Sequence, residues 1–249
     1  MGAWGTAIFS DDIASDIRND YKDLIGDGLS PSEATNKILT EWDASIDDSD
    51  DGPVIWLALA VTQWKIGCLE ERVKNKAIEV IDSGSNLERW TGRDKEKRRI
   101  VLEKTKIQLE SPQPATKKIP KRFKDHCDWK IGEVIAYTTL SKDKILFRVI
   151  GFHIDKGGES PVCELLNWKG EKIPTIWQMI FMEIKKKVYP NCNQKISQLL
   201  IGRIAENELP IHRVERLGIV LMPSQKVGGF LGSNWRYLDD ILKEYFDIE

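Results

Sequence analysis

The groups with the widest chemical reach in this 249-residue chain are its three histidines, His126, His153 and His212, and its four cysteines, Cys68, Cys127, Cys163 and Cys192. His126-Cys127 with Cys163 and Cys192 would supply the donors of a zinc site. The gaps of 36 and 29 residues between those cysteines, however, lack the close paired spacing of structural zinc ligands. Cys127 beside His153 or His212 would make a nucleophile and its base, and seven such groups scattered over the chain meet that description by accident. Lys226-Val227-Gly228-Gly229-Phe230-Leu231-Gly232 is rich in glycine but has neither the Walker spacing nor a strand-to-helix GxGxxG, and reads as a flexible loop. Asp47, Asp48, Asp50 and Asp51 lack the spaced ligands and closing glutamate of an EF-hand and read as a solvated turn. No Asp/Glu pair lies in an apolar frame that would split two pKa values for acid–base work. The expectation is a protein without catalytic residues, metal or cofactor.

Binding is better supported by charge. Residues 1–51 hold 13 Asp/Glu against 3 Lys/Arg, whereas residues 93–124 hold 12 Lys/Arg against 4 Asp/Glu, although the whole chain is only at −2. Segregation of this kind suits either a partner interface or attraction within the chain. Two candidate surfaces follow. An acidic face of Asp11, Asp12, Asp16, Asp20, Asp47, Asp48, Asp50 and Asp51 would meet a basic protein partner. A basic stretch of Lys117, Lys118, Lys121, Arg122 and Lys124, with Trp129 and Tyr137 beyond it to stack bases, would instead meet nucleic acid. Nine tryptophans are many for this length, and any left exposed would anchor a protein interface.

These residues need elements to carry them. Ser10-Asp11-Asp12 opens a first helix with Ile13, Ile17, Tyr21 and Leu24/Ile25 at helical spacing, Ser10 acting as its cap. Ser30-Pro31-Ser32-Glu33 is a capping box with proline at the first helical position. Pro53 to Gly67 is apolar on nearly every side, as expected at the centre of a bundle. Two further helices follow, near 69–82 and 93–109. After residue 126 the period changes. Gly132–Leu140, Lys144–Ile154 and Val162–Trp168 read as three strands joined by tight turns, an antiparallel meander curled into a small barrel. Residues 175–209 are ambiguous between strand and helix, 213–222 form a late strand, and Trp235, Leu238, Ile241/Leu242 and Tyr245/Phe246 line a final amphipathic helix. The class is α+β: a helical domain over 1–110, a Pro-containing basic linker over 111–125, and a β-rich domain with a C-terminal helix over 126–249.

The longest apolar run, Val54 to Val61, is eight residues and too short to span a bilayer. Met1–Thr6 meets the formal N-myristoylation pattern, but the bulky Trp4 argues against its use. Dispersed cysteines and the absence of a secretory apolar segment fit a cytoplasmic protein with no membrane partner.

The opening Met1-Gly2-Ala3-Trp4-Gly5-Thr6-Ala7-Ile8-Phe9-Ser10-Asp11-Asp12 resembles an uncharacterised family of bacterial cytoplasmic proteins that begin MGxWGTGxF. The likeness continues in Gly26-Asp27-Gly28-Leu29, Gly52–Ala60, Thr62-Gln63-Trp64, Ile81-Asp82-Ser83-Gly84 and Leu87-Glu88-Arg89-Trp90, with Ala7 departing from the usual glycine. The second half, through Trp129-Lys130-Ile131-Gly132-Glu133-Val134, is similar to small β-rich domains of bacterial immunity proteins. These resemblances imply a non-catalytic binding protein of the immunity or antitoxin kind, or part of a bacterial defence locus, whose partner would be a basic toxin or nuclease. The alternative is a nucleic-acid-binding accessory protein. Gly2-Ala3-Trp4-Gly5 is expected to be buried, since glycines flanking the tryptophan let the backbone approach a groove closely.

Overall fold

The computed structural model describes residues 3–188 and 195–248, and they form two compact units, Met1–Arg122 and Phe123–Glu249. The fold is α+β.

The first unit is helical. Helix α1 (Asp12–Gly26) is capped by Asp11, which accepts from the amides of Ile13 (3.0 Å) and Ala14 (3.4 Å), so Asp11 and not Ser10 closes the helix start. Helix α2 (Pro31–Glu41) carries the expected capping box between Ser30 and Glu33. After the short α3 (Asp43–Ile46), helix α4 (Asp51–Ile66) buries twelve of its sixteen residues and stops at Gly67 in the left-handed conformation. Helices α5 (Glu71–Ser83) and α6 (Gly92–Glu110) complete the unit. In α6, Leu102 and Leu109 turn inward, while Ile100 and Ile107 stay on the exposed side.

The N-terminal opening departs from expectation. Trp4 is 64% exposed, and Ile8 is the residue that enters the core. Two arginines, Arg98 buried and Arg89 half-buried, hold the segment in place. Arg98 donates to the Thr6 carbonyl (2.9 Å) and to Asn86 (2.7 Å), and Arg89 lies 3.4 Å from Asp11. Burial lowers the Arg98 pKa to about 10. The ring of Phe9 receives Arg18 and Lys65 at 4.8 and 4.9 Å from its centre.

The second unit contains β1 (Glu133–Thr138), β2 (Lys144–Asp155), β3 (Gly158–Gly170), α7 (Ile176–Ile180), β4 (Lys187–Val188), β5 (Lys195–Ile196), β6 (Gln198–Gly202), β7 (Val214–Val220), β8 (Leu231–Asn234) and α8 (Leu238–Phe246). The meander β1–β2–β3 forms as read from the sequence. It sits within a six-stranded sheet of order β7-β1-β2-β3-β6-β8, antiparallel except for the parallel β6–β8 pair. Among the described residues β7 and β8 end the sheet without pairing to each other, so it is open where a small barrel was expected. Irregularities in register between Ile145 and Phe147, and between Val149 and Gly151, mark bulges, which bend a strand pair without closing it.

Side chains alternate across the sheet. Ile135, Tyr137, Phe147, Val149, Cys163 and Leu165 face Leu238, Leu242 and Phe246 of α8. Val134, Ala136, Leu146 and Leu166 face Met179 and Leu221 on the other side. On this second side lies a fully buried ion pair, Arg148 with Glu164, whose residues are direct partners across β2 and β3. Glu164 also accepts from the Ser224 hydroxyl (2.6 Å) and amide (3.1 Å). One strand over, Gln198 donates to the Lys226 carbonyl and accepts from the Gly228 amide. The glycine-rich segment read as a flexible loop is therefore pinned at its start across the sheet.

Candidate functional site

The acidic residues of the first unit divide by role. Asp11 is 6% exposed, occupied by its helix cap and by Arg89, and so stands apart from the expected face as a structural residue. Asp48 is exposed but organises its own turn, accepting from the amides of Asp50 (2.8 Å) and Asp51 (2.9 Å), which lower its pKa. Asp16, Asp47 and Asp50 are exposed, and Asp12, Asp20 and Asp51 half-buried.

The basic segment expected as a linker behaves differently through residue 122: it is a strap laid along the first unit. The Lys117 amide donates to the Ile66 carbonyl (2.9 Å), the Thr116 hydroxyl to Gly67 (2.8 Å), and Gln113 accepts from the Leu69 amide (2.7 Å). Gly67 makes this possible, since a β-carbon there would lie 2.4 Å from the Pro114 carbonyl oxygen. At the far end Arg122 bonds Asp23 (2.9 Å) and Lys121 lies 3.9 Å from Asp27. Part of the charge asymmetry is thus attraction within the unit. Lys117, Lys118, Lys121, Arg122 and Lys124 nonetheless remain exposed.

The strongest interaction surface was not legible as such. Thr175 caps α7 in a reciprocal box with Gln178, the Thr175 amide donating to Gln178 Oε1 at 2.8 Å. The helix is a single turn that inserts only Met179 into the core. Trp177 (72%), Phe181 (82%), Ile176 (44%) and Ile180 (45%) are left exposed. The chain after it is tied back to the sheet, Asn167 donating to the Glu183 carbonyl and Lys185 to that of Leu165, both at 2.8 Å. Lys172 and Lys186 are exposed near its ends in sequence. An apolar, aromatic cluster held on a rigid scaffold is the usual signature of a protein contact. The Thr-x-x-Gln spacing was its available signal.

Of the groups that suggested catalysis, His126 and Cys127 line one cavity, and Cys127 lies within electrostatic reach of Cys163. His126 is 3.6 Å from Glu159, His153 packs edge-on against Phe230 and lies 3.8 Å from Asp155, and His212 is exposed. Burial pushes the Cys127 thiol up to about 11, opposite to what a nucleophile needs, and raises that of the fully buried Cys163 further. Cys192 lies outside the described residues, among which no three His, Cys, Asp or Glu side chains gather to hold a metal ion. Because its raised pKa keeps Cys127 protonated at neutral pH, about one thiol in a thousand is ionised at pH 8. Alkylation by iodoacetamide at Cys127, followed by peptide mass spectrometry, is expected to run about 100-fold slower at pH 8 than at a free cysteine. Its rate should rise roughly tenfold per pH unit until near pH 11.

No helix among the described residues is long and apolar enough to cross a membrane. Comparison with protein-family models, curated proteins and solved structures finds no match to this chain.

Proposed function

We propose that this chain is a non-catalytic protein-binding factor acting in the bacterial cytoplasm, of the immunity or antitoxin kind or part of a bacterial defence locus. The observation that carries the reading is the α7 cluster: four large apolar side chains exposed on one turn whose backbone is anchored to the sheet. A surface of this kind costs solubility, and its use is to bury against a partner. On the first unit by itself, the exposed Asp16, Asp47, Asp48 and Asp50, with the half-buried Asp12, Asp20 and Asp51, would attract a basic toxin or nuclease. The family resemblance of the opening motif and of the β-rich half supports the same reading.

The test is affinity purification of the tagged chain from its native cell, with and without nuclease, in parallel with Trp177→Ala/Phe181→Ala. The expected outcome is one stoichiometric protein that survives nuclease and is lost from the double variant. Each truncation should weaken the complex by about 2 kcal/mol, roughly thirtyfold in Kd. Equal recovery by both forms would overturn the role of α7. Recovery of nucleic acid alone would move the reading to an accessory protein working through Lys117, Lys118, Lys121, Arg122 and Lys124, all of which are exposed.

A further inference from the structure

A cluster of cations on the helical unit is independent of the partner reading. The half-buried ring of Phe9, whose carbonyl accepts from the Ser15 hydroxyl (3.2 Å), holds Arg18 of α1 and Lys65 of α4 at 4.8 and 4.9 Å from its centre. Lys22 follows Arg18 by four residues and so lies beside it, one turn along the helix. Lys117 of the strap is brought in by its amide, which donates to the carbonyl of Ile66, next to Lys65 (2.9 Å). Burial, and then the charges of Arg18, Lys22 and Lys117, lower the pKa of Lys65. Among the described residues Arg18 bonds only the Asn19 side chain (3.4 Å), and none of the four cations forms an ion pair with a carboxylate. The C-terminal turn of α4 suits Lys65 by itself, but it does not gather three further cations around it.

We propose that this cluster binds a compact polyphosphate anion, a chain of two or three linked phosphates. Charge density selects the ligand. Residues 1–51 hold only three Lys/Arg against 13 Asp/Glu, yet two of those three, Arg18 and Lys22, stand here with Lys65 and Lys117. Crowding like charges is unfavourable, and a multivalent anion removes the repulsion as it binds. Ammonium and guanidinium groups also supply the charge-assisted donors that phosphate oxygens accept. A single phosphate, at about −2, leaves half the cluster uncompensated. The surroundings select the length. On the opposite flank of α1, about 120–160° around the helix from Arg18, stand Asp12, Asp16 and Asp20. Farther along the strap, Lys121 and Arg122 are already opposite Asp27 (3.9 Å) and Asp23 (2.9 Å). An extended polyanion leaving the cluster meets like charge or occupied cations, whereas a compact one stays within it.

The test is calorimetric titration of the full chain, at about 50 mM salt, with inorganic tripolyphosphate, orthophosphate, ATP and an oligothymidylate of about ten nucleotides. Tripolyphosphate is expected to bind with a Kd of about 0.1 mM and orthophosphate at least about tenfold more weakly. ATP separates the two sources of the same group: it binds at least as tightly as tripolyphosphate if the ligand is a nucleotide, and more weakly if it is free polyphosphate. Lys22→Gln/Lys117→Gln, which keeps Arg18 and Lys65 on Phe9, should weaken tripolyphosphate about tenfold without lowering the melting temperature of the chain. Lys37→Gln/Lys104→Gln removes as much charge from exposed positions that do not act on Lys65, and should leave the Kd within about twofold. In the chain labelled with ¹³C-lysine, with Lys65 assigned through Lys65→Arg, tripolyphosphate should raise the pKa of Lys65 towards the ordinary lysine range. Absence of saturation up to about 5 mM, equal binding of orthophosphate, equal losses in the two double variants, or a Lys65 pKa unmoved by tripolyphosphate would each overturn the proposal. Oligothymidylate binding as tightly as tripolyphosphate would overturn it in favour of a nucleic-acid strand.

Discussion

Arg148→Met is expected to destabilise the β-rich unit by about 3–5 kcal/mol, because it strands the Glu164 carboxylate, which is fully buried, without its counter-charge. Only the Ser224 hydroxyl and amide would remain to solvate it. Glu164→Leu should cost a similar amount by leaving the buried guanidinium unpaired and by releasing Ser224. The double variant Arg148→Met/Glu164→Leu removes both charges and should recover much of the loss, since well-packed apolar groups replace such pairs at little net cost. Urea denaturation monitored by circular dichroism and tryptophan fluorescence, with each unit's transition fitted separately, measures the three. A coupling energy below about 0.5 kcal/mol would show that the two charges do not depend on each other. Hydrogen exchange adds a local signature. The Ser224 and Gly228 amides should lose protection in Glu164→Leu, because the segment they belong to is pinned through Glu164 and Gln198.

Gly158→Ala should be comparably damaging for a different reason. Gly158 has φ +113°, a region that side chains rarely tolerate, and a β-carbon there would lie 2.2 Å from the Asp125 carbonyl oxygen and 2.4 Å from its nitrogen. Neither neighbour is the flexible end of a side chain. The clash therefore forces the 125–129 segment off the β2–β3 turn, breaking the Gly157–Asp125–Glu159 backbone bonds and with them the cradle of Arg203. A loss of about 3 kcal/mol or more is expected, from strain and lost contacts together. Gly229→Ala is the matched control: it lacks positive φ and meets nothing within 4 Å, so its effect should stay within about 1 kcal/mol. Parity of the two in thermal denaturation would remove the steric account.

How much of this could be read from the sequence depended on the range of the interaction responsible. The α2 capping box, the apolar α4 and the β1–β2–β3 meander are written in local periods and turn residues, and they form as expected. Which of Ser10, Asp11 and Asp12 caps α1 was a question of one residue of helix phase, and Asp11 won it. The strap at 111–122 has the composition of a linker because its docking uses backbone groups, with carbonyls of Ile66 and Gly67 as acceptors, and composition does not register these. The glycine-rich segment was misread in the same way, since Gln198 and Glu164, which hold its neighbourhood, are 30 and 60 residues distant from their partners. Trp4 was expected to be buried from its flanking glycines. Ile8, four residues later, takes the core position, and the charges on Arg98 and Asp11 secure the turn between. The α7 cluster fell within a stretch left ambiguous, because a five-residue helix is too short to display a period.

The strand order has a bearing on how the chain is made. Neighbours β1, β2 and β3 pair through short turns and can associate as soon as they leave the ribosome. Their flanks cannot. The β3 side gains β6 only after residue 202, and the β1 side waits for β7, whose Arg216 lies opposite Ile135. The last pairing, parallel β8 on β6, requires Asn234, and α8 closes over the apolar face later still. From about residue 170 to residue 202 a three-stranded meander with two open sides must persist, and its α8-facing side stays uncovered until after residue 238, in the regime where slow, non-local pairing invites association with other chains. Completion of the sheet is therefore a C-terminal event. A nascent chain arrested before about residue 230 should remain a client of chaperones long after the helical unit has closed.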